Sequence, residues 1–319
     1  MARIRTAVVG VGYLGRFHAQ KYAALPDAEL VGVADSDAEA CGRVARELGV
    51  RGLRDYRELL GQVDAVSVVT PTPAHAAIAS AFLEAGAHVL VEKPITVGVA
   101  EAEALIRLAH ARGRILQVGH LERFNPVVLG AEPHLRAPRF IECHRLAPFR
   151  ERGTDVNVVL DLMIHDIDLL QSIVGSEIVA LDAVGTPVFS RETDIANARI
   201  RFASGCVANA TASRVSLKTE RKLRIFQDDA YLSLDLQQKV LTVIRKRELQ
   251  PGDTQLPVNI VEESFEQGDA LLAEIGAFLK AVRGLGPVAV TGEDGLRALR
   301  TAIAITDALS AGPGRSHGG

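Results

Sequence analysis

Five apolar runs, "IRTAVVG" (4–10), "AELVGVAD" (28–35), "DAVSVVT" (64–70), "AHVLVEK" (87–93) and "RILQVGH" (114–120), punctuate the first 120 residues. Each is short enough for a strand, and the apolar residues stand on consecutive positions rather than alternate ones, so both faces must be covered. Between them lie Ala- and Leu-rich stretches of helical period at 14–25, 38–48, 74–85 and 99–112. Doubly buried strands separated by helices specify a parallel sheet with helices on both faces. Residues 1–121 therefore read as a doubly wound α/β domain, a Rossmann-type sheet.

The pattern changes after residue 121. A helix is expected over 157–174, and later segments alternate with period two: in "YLSLDL" (231–236), Leu232, Leu234 and Leu236 share one face. "ANARIRFASGCVANATAS" (196–213) reads as two strands joined by a tight turn at Ser204–Gly205. Alternation of this kind suits a largely antiparallel open sheet with one face covered and the other available to solvent or a partner subunit. Amphipathic helices near 268–283 and 293–310 close an α+β domain assigned to residues 122–310, and 311–319 has the composition of a flexible tail. A chain of 319 residues accommodates two such domains.

Gly10, Gly12 and Gly15 form G-V-G-Y-L-G after the first strand and at the start of a helix. A helix N-terminus offers backbone N–H groups and a positive dipole end, and glycines let a pyrophosphate come close. Asp35 ends the second strand, where a carboxylate accepts hydrogen bonds from an adenosine ribose and repels a 2′-phosphate. The expected cofactor is thus NAD rather than NADP, although Ser36 beside Asp35 weakens the discrimination. Tyr13 and Leu14 in the loop complete the nucleotide contacts expected there.

Ligands of open parallel sheets sit beyond the carboxyl ends of the strands, so "TPTPAH" (70–75) and "VEKP" (91–94) should face the cofactor. Thr70, Pro71, His75, Glu92 and Lys93 are the expected contacts. Lys93 is a charge at the end of an otherwise apolar strand. The segment "LDLMIHDIDLL" (160–170) likewise carries four ionisable side chains in an apolar helix: Asp161, His165, Asp166 and Asp168. Positions 161 and 165 are i and i+4 and share a helix face, with Asp168 along it. A histidine can take an alcohol proton at neutral pH, and oxidation of a secondary alcohol also needs a hydride acceptor and a cation near the developing alkoxide. A metal site built from His165, Asp161 and His120 or Glu122 is the weaker reading, because no cysteine or second histidine lies at ligand spacing on this helix; no metal is expected.

The motifs together resemble the glucose–fructose oxidoreductase / inositol dehydrogenase / MocA family of nicotinamide-dependent sugar oxidoreductases. The resemblance rests on the glycine motif at 10–15, "PTPAH" at 71–75, "EKP" at 92–94, Asp161 with His165, and "TGEDGLRALRTAIAITDAL" at 291–309. It implies that Lys93, Asp161 and His165 line a substrate pocket beside the nicotinamide as the catalytic residues, with His165 the expected base and Lys93 the alternative.

"GHLERFNPVV" (119–128) and "RLAPFRERGTDVNVVLDLMIHDIDLL" (145–170) are similar to a subgroup that oxidises the 3-hydroxyl of UDP-N-acetylglucosamine, whose product feeds an aminotransferase in 3-amino-sugar synthesis for lipid A or surface polysaccharide. That similarity implies a nucleotide-sugar substrate. Arg123, Arg145, Arg150 and Arg152 are candidate pyrophosphate partners, since guanidinium binds phosphate bidentately; Glu122, Asn125 and Asp168 join Lys93, Asp161 and His165 as candidate sugar contacts. A dehydrogenase of a free polyol such as inositol is the alternative, and a catalytically silent NAD-binding regulator accounts least well for the proton-handling residues. The family resemblance implies a homodimer or homotetramer. A net charge of −3 gives no footprint for nucleic acid or an anionic membrane surface, no run approaches the roughly 20 apolar residues of a membrane span, and three scattered cysteines suit a reducing compartment. The expected location is the cytoplasm.

Overall fold

A computed structural model describes residues 2–150, 156–248 and 257–311. The chain divides into two compact units, one comprising Met1–Leu121 with Asp269–Leu299, the other Glu122–Gly268 with Arg300–Gly319.

The first unit is built on six parallel strands: β1 (Ile4–Val9), β2 (Ala28–Ala34), β3 (Arg51–Leu53), β4 (Ala65–Val68), β5 (His88–Glu92) and β6 (Leu116–Gly119), in the order β3-β2-β1-β4-β5-β6. The crossovers are α1 (Tyr13–Ala24), α2 (Ala38–Leu48), α3 (His75–Glu84) and α4 (Val99–Ala111). Val8, Ala65, Val66, Val89, Leu90 and Val91 have no exposed surface, which is why these strands read as unbroken apolar runs. The strand order reverses between β1 and β4, and the carboxyl ends of the strands there carry the glycine loop and "TPTPAH". The three-residue β3, "RGL", has no apolar run to announce it.

The last third of the chain departs from the sequence expectation. The helix α7 (Ala270–Val282), expected in the second domain, inserts Leu271, Ile275, Phe278 and Leu279 into the same core as Val8, Ala19 and Tyr22. An apolar stripe of helical period requires a partner surface but does not name it, so the return of 269–299 to the first unit could not be read from periodicity.

In the second unit, eight strands among the described residues run in the order β14-β13-β12-β11-β7-β10-β9-β8. They are β7 (Phe140–Leu146), β8 (Ile178–Thr186), β9 (Ile195–Phe202), β10 (Val207–Ser213), β11 (Glu220–Phe226), β12 (Ala230–Asp235), β13 (Val240–Lys246) and β14 (Val258–Ser264). All neighbours are antiparallel except β7 and β10. Gly205, at φ +86°, turns β9 into β10 in a conformation side-chain-bearing residues rarely adopt. Alternate residues are buried, Leu223 and Ile225 on β11 and Leu232 and Leu234 on β12 among them. The opposite face stays half-exposed and carries a cross-strand row of rings, Phe140, Phe226 and Tyr231, with centroids 5.8 and 4.9 Å apart. Among the described residues the α-helices of this unit are α5 (Pro126–Ala131), α6 (Ile164–Val174) and the second part of α8 (Gly292–Ala311).

The helix expected over 157–174 is not uniform. Asn157 caps it, its Oδ1 accepting from the N–H groups of Val159 and Leu160 at 3.1 and 3.0 Å. A wide π-helical turn follows over Val159–Met163, and regular α-helix begins only at Ile164. Such turns accommodate an extra residue and occur disproportionately at functional sites. Asp161 stands in this turn and His165 in the regular helix, so the simple i, i+4 wheel does not describe their spacing.

Candidate active site

The nucleotide cradle lies wholly in the first unit. Gly10 sits at φ +85°, and a Cβ there would stand 2.7 Å from backbone atoms of Val69 and Thr70. A Cβ on Gly15 would come within 1.8 Å of the Gly10 carbonyl oxygen, so α1 can start only this close to the loop without a side chain. Gly12 is different: its missing Cβ would meet nothing within 4 Å, and no side chain caps α1 there. The first turn of α1 therefore offers backbone N–H groups toward open space, the arrangement that binds a phosphate.

Asp35 Oδ2 accepts from the Val11 N–H at 2.7 Å and Oδ1 from the Asp37 N–H at 2.9 Å, which fixes the carboxylate at the end of β2. Tyr13 is exposed and packs edge-on against Phe17, Leu14 is half-buried, Pro71 is exposed, and the Thr70 hydroxyl is buried without a protein hydrogen-bond partner. The glycines, the uncapped helix start and the fixed carboxylate fit a dinucleotide.

His75 and Glu92, both expected to touch the cofactor, are buried and engaged by protein partners. The buried His75 ring spans two loops, Nε2 lying 2.8 Å from the Thr70 carbonyl and Nδ1 2.9 Å from that of Pro94. It ties the segment after β4 to the segment after β5. Glu92 is buried at the end of β5, with Oε1 3.2 Å from His18 Nε2 and Oε2 accepting the Lys93 N–H at 3.2 Å. Burial works to raise its carboxyl, but His18 and Lys93 outweigh that and hold it below the usual range. Lys93 itself is half-buried.

In the second unit, Asp161 and His165 keep partial exposure while Met163, Ile164, Asp166, Ile167 and Asp168 are buried. Arg145 falls on the buried face of β7, in phase with Ile141 and Cys143, because side chains alternate along a strand. Its guanidinium gives Nε and Nη2 to Asp166 at 2.9 and 2.8 Å and Nη1 to Glu122 at 2.9 Å. Burial pushes the Asp166 carboxyl up by more than Arg145 pulls it down. Glu122 is also subject to burial, but Arg145 and Asn125 hold it low.

Asn125 is spent in the same way, donating to Glu122 at 3.1 Å and capping α5 by accepting from the Val127 N–H at 3.2 Å. Arg145, Glu122 and Asn125, expected to bind substrate, form with Asp166 a buried brace between β7, α6 and the 122–125 segment. Asp168 is also buried, and Arg123 grips it through two bonds of 2.7 and 2.6 Å. Arg150 is exposed, and Arg152 lies outside the described residues, as does the tail 312–319.

Residues 4–120 match the family model described as "Oxidoreductase family, NAD-binding Rossmann fold", and residues 149–313 match its "Oxidoreductase family, C-terminal alpha/beta domain". The chain belongs to the glucose–fructose oxidoreductase / inositol dehydrogenase / MocA family. It is 42% identical to UDP-N-acetylglucosamine 3-dehydrogenase of Acidithiobacillus ferrooxidans, covering 98% of this chain and 99% of the relative. The solved structure of that organism's enzyme superposes with a TM-score of 0.90, at 41% identity over 98% of this chain and 99% of that one. A scyllo-inositol 2-dehydrogenase (NAD(+)) of Bacillus subtilis is 32% identical over 67% of this chain and 68% of its own. Scyllo-inositol dehydrogenase of Lactobacillus casei, solved with NAD(H) and scyllo-inositol bound, shares the fold at a TM-score of 0.80 and 22% identity, covering 97% of both chains.

Within this oxidoreductase family member, the sequence reading missed two residues of the first unit, His18 on α1 and Glu274 on α7. Both are fully buried, and together with Glu92 they form, among the described residues, a group whose ligand atoms all lie within 4.8 Å of one another. The signal was present in the sequence: "ALLAEIGAFL" carries one acid on an apolar helix, as "LDLMIHDIDLL" carries several.

Proposed function

We propose that this oxidoreductase is an NAD-dependent UDP-N-acetylglucosamine 3-dehydrogenase, converting the sugar 3-hydroxyl to a ketone. The observation that carries this reading is the 42% identity to the Acidithiobacillus enzyme across 98% of the chain. NAD supplies the hydride acceptor. The α1 N-terminus at Gly12 holds its pyrophosphate, and the fixed Asp35 carboxylate receives the adenosine ribose hydroxyls. Tyr13, Leu14, Thr70 and Pro71 flank the dinucleotide.

His165 takes the proton of the sugar hydroxyl as the carbon–oxygen double bond forms, Lys93 stabilises the developing alkoxide, and Asp161 orients the hydroxyl. Glu122, Asn125, Arg145 and Asp166 brace α6, the helix that carries His165, and His75 braces the loops after β4 and β5. Arg123, Arg150 and Arg152 are the candidates for the substrate diphosphate. Asp168 keeps the Arg123 fork oriented.

Location in the cytoplasm and assembly as a dimer or tetramer through the half-exposed face of the second unit's sheet belong to the same reading. So does a pathway aminotransferase as the consumer of the 3-keto product, since a ketone is the substrate such an enzyme needs. The test is incubation of purified protein with NAD and UDP-N-acetylglucosamine, free N-acetylglucosamine or myo-inositol, following NADH absorbance and product mass, with an aminotransferase added to draw off ketone. Oxidation of the nucleotide sugar alone supports the reading. Turnover of a free sugar or polyol in its place replaces it with a polyol dehydrogenase.

A further inference from the structure

The buried group of His18, Glu92 and Glu274 has no part in the chemistry above. Both carboxyl oxygens of Glu274 are buried without a hydrogen-bond partner, and one of them lies within 4.8 Å of a carboxylate oxygen of Glu92 and of a ring nitrogen of His18. Every other polar atom of the group is engaged. His18 Nδ1 lies 3.2 Å from Ser67 Oγ, which in turn lies 2.9 Å from the Tyr22 hydroxyl. His18 Nε2 meets Glu92 Oε1, and Glu92 Oε2 accepts the Lys93 N–H. Gly119 makes room for this carboxylate, since a Cβ there would stand 2.6 Å from Glu92 Oε1. The groups that face the cluster among the described residues are Tyr22 from α1, Ser67 from β4, Lys93 after β5 and Gln117 from β6, whose amide donates to the Glu274 carbonyl at 3.4 Å.

Two carboxylates this close and this buried cannot both carry charge without a cation between them. Because the His18 and Glu92 side chains already have partners, one proton held on Glu274 removes the second negative charge from the group. We propose that Glu274 is held as a neutral acid and Glu92 as the single negative charge of the cluster, and that Glu92 acts as a positioning residue, fixing the Lys93 backbone and favouring the ammonium form of its side chain. Burial, reinforced by Glu92, pushes the Glu274 carboxyl well above its ordinary range, in the same sense.

The role assigned to Lys93 rests on the proposed function, whereas the proton on Glu274 does not, so the tests are chosen to be independent of turnover. The first is infrared spectroscopy of wild type and Glu274→Gln at pH 7. A protonated-carboxyl C=O band present in wild type and lost in the variant is expected; absence of that band from wild type, or its persistence in the variant, overturns the proposal.

The second is the pH dependence of Lys93 labelling by an amine-reactive reagent, read by mass spectrometry. Glu92→Gln should move the midpoint to lower pH by roughly one unit, and Glu274→Gln should leave it in place. An unmoved midpoint in Glu92→Gln, or an equal shift in both variants, refutes the assignment of the charge. The third is metal analysis of the purified protein. Stoichiometric divalent metal that Glu274→Gln loses would make the group a cation site and overturn the shared proton. Failure of wild type to oxidise UDP-N-acetylglucosamine would sink the proposed function while leaving the infrared and labelling results to decide this one.

Discussion

Replacing Arg145 by methionine tests the claim that this arginine braces α6 rather than binding substrate. The methionine roughly keeps the length of the aliphatic stem and removes three charge-assisted hydrogen bonds, two to Asp166 and one to Glu122. The cost comes less from those bonds than from what remains, two buried carboxylates with only the half-exposed Arg221, 3.5 Å from Glu122 Oε1, as a cation beside them. Breaking a buried pair in this way costs about 3–5 kcal/mol. For a domain of 150–250 residues, each kcal/mol moves Tm by roughly 2–4 °C, so the second unit should melt roughly 6–20 °C lower.

The sign of the pH dependence follows from the same geometry. Without Arg145, the folded-state pKa values of Asp166 and Glu122 both rise above their unfolded values. The penalty is then absent below the unfolded carboxylate range near pH 4, and it grows as pH rises through that range toward the raised folded values. The assay is thermal and urea unfolding of wild type and Arg145→Met between pH 5 and pH 8. The triple variant Arg145→Met, Glu122→Gln, Asp166→Asn serves as a control that removes the charges together and should recover much of the loss. A loss under about 1 kcal/mol at pH 8, or one that does not shrink on acidification, would refute the reasoning and return Arg145 to the pool of phosphate ligands.

Other outcomes follow from individual positions. Gly12→Ala should leave Tm within about 2 °C while raising the KM for NAD at least tenfold, because its Cβ enters open space that a phosphate needs; Gly15→Ala, whose Cβ meets the Gly10 carbonyl at 1.8 Å, should destabilise the first unit as well. Steady-state kinetics beside calorimetry separates the two. His165→Asn should abolish NADH formation and spare NAD binding measured by fluorescence titration; retained turnover would remove His165 as the base. Because Glu274 has a raised folded pKa, its contribution to stability is full below the unfolded carboxylate range and is lost as pH rises. Glu274→Gln should therefore gain on wild type between pH 5 and pH 8, by up to about 1.4 kcal/mol per pH unit, as read by urea unfolding.

The strands and helices of residues 1–120 were legible because each obeys a local rule. Doubly buried strands are continuously apolar, covering helices repeat near 3.6 residues, and a glycine loop with an acid at the end of the second strand is a short-range pattern. The family motifs were legible for the same reason, since "EKP" and the Asp161/His165 spacing are contiguous in the chain. What a charged side chain faces is not a local property. Arg123, Arg145 and Arg150 are chemically identical in the sequence, yet strand phase turns Arg145 inward onto Asp166, packing sets Arg123 on Asp168, and Arg150 stays exposed.

The same holds for His75, whose two ring nitrogens lie 2.9 and 2.8 Å from carbonyls of different loops, and for Glu274, which meets Glu92 only because α7 returns across more than 100 residues to the first unit. The sequence by itself determined the doubly wound nucleotide-binding unit, its cofactor loop and the residue types available for chemistry. Only the tertiary structure decided which of those charges were neutralised in the interior and which stayed exposed, because burial and pairing depend on residues distant in the chain.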